Sequence, residues 1–349
     1  MNTPGIFSNW QAEYCRLGEL PKGKARLLSK ILPTLIIASL GFGLVACSSN
    51  PETSPDGAEG CEHYSVSYAS DTIEVCGELG KPNTVSFAGS LDESETAFST
   101  VIEGSGDATV AGDSLMVAYS IYNGTTGEAI SNADLAGSIP QEMVTLDSEQ
   151  FLSGLVDAMT GQKVGSRVLA LLLPEDAYGT EGNTKLGLGE NDSLLWVLDI
   201  LAKVEDHATG EPQSVDASLP TVTLADSGRP TVTIPAGDAP SELTLGVLKK
   251  GSGQLVEPEA TVWVHYQGLN WRTQEIFDQS WGAGISSFPL TGVVDGFASA
   301  IEGQTVGSQV VVVIPPDLGY GPMGGQPGAG IEVDDTLVFV IDILAVKNP

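Results

Sequence analysis

The sequence predicts an α+β protein of two tandem domains, each an antiparallel β-sheet curled over one short α-helix. Three observations predict it. First, the chain repeats itself. Gly161-Gln162-Lys163-Val164-Gly165-Ser166 recurs as Gly303-Gln304-Thr305-Val306-Gly307-Ser308, and Pro174-Glu175-Asp176-Ala177-Tyr178-Gly179 is answered by Pro316-Asp317-Leu318-Gly319-Tyr320-Gly321. A run from Asp192 to Leu201 is answered, after a slip of one position, by Asp335 to Leu344. A recurrence this widely spaced means two whole domains of one fold, not a solenoid. Second, only 17% of the 349 residues are charged while 42 are Gly and 20 are Pro, which suits turn-rich β domains better than helical bundles. Third, apolar residues alternate as in strands, at Val262, Val264 and Tyr266, whereas helical spacing is confined to one short stretch per copy.

From the N-terminus, residues 1–46 form a leader. Lys22, Lys24, Arg26 and Lys30 precede an apolar run from Ile31 to Ala46, the pattern of a secretory signal and short for a membrane span. The run ends Leu44-Val45-Ala46-Cys47, which resembles the bacterial lipobox and implies acylation of Cys47 after cleavage. An uncleaved anchor is the alternative. Residues 47–66 read as a flexible tether, since Ser48 to Gly60 lacks large apolar side chains. Cys61 and Cys76 are free to form a disulfide in an exported compartment, and two unpaired thiols are the alternative.

The first domain spans 67–204, a polar linker 205–219, and the second domain 220–349. Each opens with β signals, Val85-Ser86-Phe87 and Thr231-Val232-Thr233-Ile234. The clearest strand is Thr261 to Tyr266, and Val310 to Ile314 is a continuous apolar run expected to be buried on both sides. The helices are expected at Ser153 to Met159 and at Gly296 to Ile301, with Val294, Phe297, Ala298 and Ile301 on one face. Leu337, Phe339, Ile341 and Ile343 share a face of the last strand.

A formal charge of −30 repels phosphate backbones, so nucleic acid is not an expected partner. There is no Cys-x-x-Cys motif, and His63, His207 and His265 are scattered, so neither a metal nor a redox cofactor is expected. His265 lies within an alternating strand and reads as a packing residue. Asn123-Gly124-Thr125 matches a glycosylation acceptor by pattern only.

The second copy resembles the FKBP-type peptidyl-prolyl isomerases from Gly251 to Leu344. Val264-His265-Tyr266-Gln267-Gly268 is similar to the family's V-H-Y-x-G strand, Phe277-Asp278-Gln279-Ser280 to its F-D-x-S, and Val293-Val294-Asp295-Gly296-Phe297 to its helix entry. Ile314-Pro315-Pro316-Asp317-Leu318-Gly319-Tyr320-Gly321 and Thr336-Leu337-Val338-Phe339 complete the series in family order. The resemblance implies a proline-binding cleft. Phe297 would floor it; Tyr266, Phe277, Phe288, Val293, Val294 and Phe339 would line it. Tyr320 would donate its hydroxyl to a substrate carbonyl, Asp278 would shape the polar side, and Ile331 would sit at the rim.

The first copy keeps Tyr119, Tyr178 and Trp196 at the positions of Tyr266, Tyr320 and Phe339, but sets Ile130-Ser131 against Phe277-Asp278 and Leu155 against Phe297. The expectation is therefore a monomeric peptidyl-prolyl isomerase acting mainly through its second domain. It would be lipid-anchored through Cys47 to the outer face of the bacterial cytoplasmic membrane and assist exported proline-containing polypeptides to fold. The alternative is a tandem proline-peptide binding or chaperone module with little turnover.

Overall fold

A computed structural model describes residues 63–68, 71–91, 95–131, 139–149, 151–177, 181–184 and 187–349. The leader, Cys47, Cys61 and Tyr178 lie outside these residues. Among the described residues no helix is long and apolar enough to cross a membrane, and no group of His, Cys, Asp or Glu side chains is placed to hold a metal ion.

Three short strands come first, β1 (His63–Tyr68), β2 (Asp71–Cys76) and β3 (Thr84–Ser86), paired in that order. β1 starts inside the stretch read as tether, so ordered structure reaches further toward the N-terminus than residue 67. Its alternation of apolar with polar residues is short, and it becomes a strand by pairing with β2 from His63↔Cys76 to Tyr68↔Asp71. Cys76 is disulfide-bonded.

The first main sheet contains β4 (Ala97–Ile102), β5 (Ser114–Asn123), β6 (Ala129–Ser131), β7 (Gln141–Thr145), β8 (Arg167–Leu172) and β9 (Leu194–Val204), ordered β4-β8-β9-β5-β6 with β7 also on β5. Then follow β10 (Glu211–Pro212) and the hairpin β11 (Thr221–Leu224) with β12 (Pro230–Thr233). The second main sheet is built from β13 (Thr244–Lys250), β14 (Thr261–Asn270), β15 (Ile276–Gln279), β16 (Ser286–Pro289), β17 (Gln309–Ile314) and β18 (Leu337–Lys347). With β10 added at one edge, its order is β10-β13-β17-β18-β14-β15 with β16 on β14, and the six strands after β10 repeat the first sheet strand for strand. Every pairing is antiparallel, and register shifts recur at matching places: Met116/Val117 and Trp263/Val264 on the long central strands, Thr100/Ile102 and Val247/Lys249 on the edge strands. Such bulges bend a strand and increase its twist, which is how each sheet curls.

One seven-residue helix per domain fills the concave face: α1 (Ser153–Met159) and α2 (Asp295–Ile301). Helices this short do not persist on propensity and are held by packing. Leu155, Val156, Ala158 and Met159 enter the first core; Phe297, Ala300 and Ile301 are buried in the second, with Ala298 only partly so. A Cβ on Gly296 would lie 2.4 Å from Ile314 Cγ2, so glycine lets α2 rest directly on β17. The repeated Gly-Gln-x-Val-Gly-Ser motif ends each helix: Gly161 and Gly303 take φ of +80° and +75°, a left-handed conformation glycine adopts without penalty.

All six residues of β17 are buried, as the apolar run predicts, because the convex face is covered too. Leu219 and Ile234, with Val222 and Val232 of the hairpin, pack on Val311, Val313, Val338 and Val340. In the first domain Ile73 and Val75 of β2 pack in the same way on Leu169, Leu171, Leu195 and Val197. Residues 205–219, read as a linker, are therefore part of the second domain's wall. β10 pairs with Lys249 and Lys250, the Gln213 N–H donates to the Leu248 carbonyl, and Ala208 is fully buried.

Each domain latches its incoming segment to a buried aspartate on the last strand. The Gly80 N–H donates to Asp199 Oδ2 at 2.6 Å and the Ala208 N–H to Asp342 Oδ2 at 2.7 Å. Asp199 is neutralised by Arg167, which also donates to the carbonyls of Gly77 and Glu78; Asp342 accepts from Gln309 Nε2 instead. Burial accordingly raises the Asp342 pKa. A smaller apolar cluster joins the domains: Met116, Val204, Trp263, Leu344 and Ala345, flanked by Leu201, Ala202, Met143 and Ile285.

Candidate active site

On the concave face of the second sheet, β14 and β18 carry Tyr266 and Phe339, β15 carries Phe277 and Asp278, β16 carries Phe288, and α2 carries Phe297. Their rings form one edge-to-face cage. Phe297 meets Phe339 at 5.2 Å and 86°, Phe288 at 6.3 Å and 89°, and Tyr266 at 6.3 Å and 87°; Phe277 meets Phe339 at 5.5 Å and 84°. Rings at these separations prefer the perpendicular arrangement, in which a positive edge faces a negative π-cloud.

The predicted residues do not all reach the surface equally. Phe339 is fully buried, so it is the base on which Phe277 and Phe297 stand, not a lining residue as the resemblance implied. Phe297 is 3% exposed; Phe277, Val293 and Val294 are partly exposed beside it. Ile331 is buried, and its backbone pairs with Gln326 across the Gly-rich loop. Within the first copy, Tyr119 and Trp196 stand 5.5 Å apart, Leu155 is fully buried in the core, and Ser131 takes the register position of Asp278.

The polar side of the cage is narrow. Tyr266 Oη donates to Asp278 Oδ2 at 2.7 Å, and the Gln279 N–H donates to Asp278 Oδ1 at 2.9 Å. Burial raises the Asp278 pKa, and these two donors oppose the rise. Burial first, then the Asp278 charge, pushes the Tyr320 phenol up to about 12, so it stays protonated. Among the described residues the Tyr320 hydroxyl has no hydrogen-bond partner, while its backbone carbonyl accepts from the Gly325 and Met323 N–H groups. The site thus offers one free donor beside one occupied carboxylate in an aromatic recess.

Several supporting residues escaped the sequence reading. Gly268 is one: a Cβ there would lie 2.7 Å from Phe277 Cζ and 2.8 Å from Phe339 Cε1. The absence of a side chain is what lets Phe277 lie over Phe339. Ser280 is another, since its Oγ accepts from the Tyr266 N–H at 2.9 Å and bonds His265 Nδ1 at 2.8 Å. His265 is buried and stacks on Trp281 at 4.2 Å, a packing role. Asp335 pins the Ile331 rim, accepting from Asn270 Nδ2 at 2.6 Å, the Glu332 N–H at 2.7 Å and Arg272 Nε at 2.7 Å. The signal was present: Asn123 and Asp192 make the same bond in the first copy, at 2.8 Å. Asn123 is thereby buried as a turn residue and is not presented as a glycosylation acceptor. Two cavities, of about 530 and 300 Å3, lie away from the cage, along the edge of β13 and between the domains.

The model of the FKBP-type peptidyl-prolyl cis-trans isomerase family matches residues 253–344, which enclose the cage. A probable FK506-binding protein of Corynebacterium glutamicum is 40% identical over 119 residues, 34% of this chain and 98% of that protein. An FK506-binding protein of Streptomyces anulatus is 36% identical over 121 residues, 34% of this chain and 97% of that protein. The FKBP-type isomerase FkpA of Escherichia coli is 36% identical over 106 residues, 30% of this chain and 38% of that protein. With nearly the whole length of two such relatives aligned, the chain belongs to the FKBP-type peptidyl-prolyl cis-trans isomerases, enzymes whose substrates are proline-containing polypeptides.

Proposed function

We propose that turnover resides in the second domain, and that the protein is exported and held by lipidated Cys47 at the outer face of the cytoplasmic membrane. There it assists exported polypeptides to fold, as a monomer and without a cofactor. The observation that carries the assignment to the second domain is the Tyr266–Asp278 hydrogen bond inside the phenyl cage, beside the unpartnered Tyr320 hydroxyl.

The chemistry asked of such a site is modest. Rotation about a peptide bond meets a barrier of about 18–20 kcal/mol because conjugation is lost at the perpendicular geometry. The twisted amide is less dipolar than either planar form, so a dry aromatic recess favours it over the hydrated ground state. The prolyl ring rests against Phe297 with Phe277 and Phe288 as walls. Tyr320 Oη donates to a carbonyl of the bound peptide and fixes its orientation. Asp278, already holding two donors, presents a fixed negative edge that keeps the rotating carbonyl oxygen away from it. No bond is made or broken, so no nucleophile or general base is required.

The test is an isomerisation assay on a Leu-Pro peptide with the soluble chain that follows Cys47. Asp278→Ala and Tyr320→Phe should each lower kcat/KM about tenfold or more, the loss of roughly 1.4 kcal/mol or more of transition-state stabilisation. Wild-type rates in both, with the fold intact by circular dichroism, would overturn the assignment. A tandem binding module with little turnover is the second reading, and the altered first cleft favours it.

A further inference from the structure

The first domain's counterpart of the cage is repacked, not merely eroded. Ile121 stands opposite Trp196 in the β5–β9 register where Gly268 stands opposite Phe339 in β14–β18. Val144 pairs with Leu115 where Phe288 pairs with Val262. Leu155 is the third residue of α1 where Phe297 is the third of α2, and Phe151 precedes α1 as Val293 precedes α2. Aliphatic groups replace phenyl groups, and an indole and one new phenyl enter.

Two features remain unexplained by a spacer role. Tyr119, Ile121, Ile130, Val144, Phe151 and Leu152 are only partly buried where they pack on the core, so several apolar side chains at the cage-equivalent positions keep some contact with water. In the same cluster Trp196 is 9% exposed and lies 5.5 Å from Tyr119, yet its Nε1 is buried with no hydrogen-bond partner. It is the one buried side-chain nitrogen or oxygen in that condition among the described residues. A buried donor without an acceptor is rare in a native fold and calls for an explanation.

We propose that this cleft is a second peptide site, which holds an extended apolar segment through a backbone carbonyl accepting from Trp196 Nε1 and does not turn it over. The single donor selects the ligand class. A peptide carbonyl satisfies it, whereas an acyl chain leaves it unpaired. The −30 charge of the chain also opposes docking on an anionic lipid surface. With Ser131 at the carboxylate position and Leu155 at the floor, nothing selects a twisted amide, so the segment need not contain proline. Held there, a substrate is presented to the second cleft at the effective concentration of an intramolecular encounter. The proposal is independent of where turnover resides.

The test uses the full chain with indole-15N tryptophan, Trp196 being assigned by its loss in Trp196→Phe. Blocked Ala-Leu-Ala-Phe and Ala-Leu-Pro-Phe peptides are titrated in turn, with a short-chain acyl detergent below its micelle concentration as the third arm. Both peptides should shift the Trp196 indole proton downfield, saturably, and do so equally in Asp278→Ala. Trp196→Phe should weaken the proline-free peptide about fivefold, the value of one neutral hydrogen bond, while turnover of Ala-Leu-Pro-Phe stays unchanged. Val144→Glu, which puts a charge on the rim without opening the core, should abolish the shift and covers the case in which Trp196→Phe fails to fold. A Trp196 resonance unmoved by saturating peptide, or moved by the detergent alone, overturns the proposal. Loss of turnover in Asp278→Ala with the Trp196 shift retained separates this site from the catalytic one.

Discussion

Replacing Gly268 by alanine puts a methyl group where two phenyl rings already sit. The new Cβ would be 2.7 Å from Phe277 Cζ, 2.9 Å from Phe277 Cε2 and 2.8 Å from Phe339 Cε1. Ordinary contact begins near 3.4 Å, so the rings must retreat by about 0.7 Å. Phe339 is fully buried and has nowhere to go; Phe277 is partly exposed and moves. Overpacking of this kind costs about 1–3 kcal/mol, and loss of one edge-to-face pair about 0.5–1.5 kcal/mol. If about 1–2 kcal/mol of this falls on the transition state, kcat/KM for a Leu-Pro peptide drops roughly 5- to 30-fold. The assay is protease-free isomerisation by NMR exchange, with thermal unfolding of the same samples. A double-mutant cycle sharpens it: once Phe277→Leu has removed the ring, Gly268→Ala should cost little more. The first domain already shows that pairing, with Ile121 and Ile130 at these two positions. A Gly268→Ala enzyme at the wild-type rate, or strictly additive effects in the cycle, would refute the reasoning.

Arg167 and Asp199, 0% and 1% exposed, form an ion pair at 2.7 Å. Arg167→Met should destabilise the first domain by about 3–5 kcal/mol in urea unfolding, because it strands a buried carboxylate; a loss below about 1 kcal/mol would show the charge finds water. Asp335 is held near pH 2, down from an ordinary 3.8, chiefly by Arg272. Its folded pKa is depressed, so its contribution is complete above about pH 4 and is lost as pH falls through about 2. Arg272→Ala should weaken that acid dependence without abolishing it, since Asn270 Nδ2 and the Glu332 N–H still donate to the carboxylate; thermal unfolding from pH 2 to 7 measures it, and an unchanged profile would count against the assignment.

Local pattern carried much of this structure. The helix at Ser153–Met159 coincides with its predicted bounds and the second begins one residue early, because in each case a short apolar turn runs into a glycine that must take positive φ. The cage residues were legible because the motif strings place them on neighbouring strands. What stayed hidden is what depends on long-range pairing. Residues 205–219 look polar and loose, but become wall once Asp342, over a hundred positions away, and the edge of β13, beyond the whole β11–β12 hairpin, supply partners. Gly268 gives no local sign of its contact with Phe277, since that contact runs across the sheet. Phe339 reads the same whether it lines a cleft or underlies one; only burial decides.

The cluster between the domains has a property of its own. Met116 faces Ala202 across β5–β9 as Trp263 faces Ala345 across β14–β18, and all four meet in that one cluster, with Leu201 and Leu344 beside them. Equivalent positions of the two copies therefore share one cluster, as they would in an isologous dimer interface, here carried inside one polypeptide. Covalent fusion makes such a pairing independent of concentration. It also removes the symmetry that forces two identical subunits to change together. Each cleft is then at liberty to alter alone, and the divergence of Leu155 from Phe297 and of Trp196 from Phe339 is what that liberty looks like after it has been used.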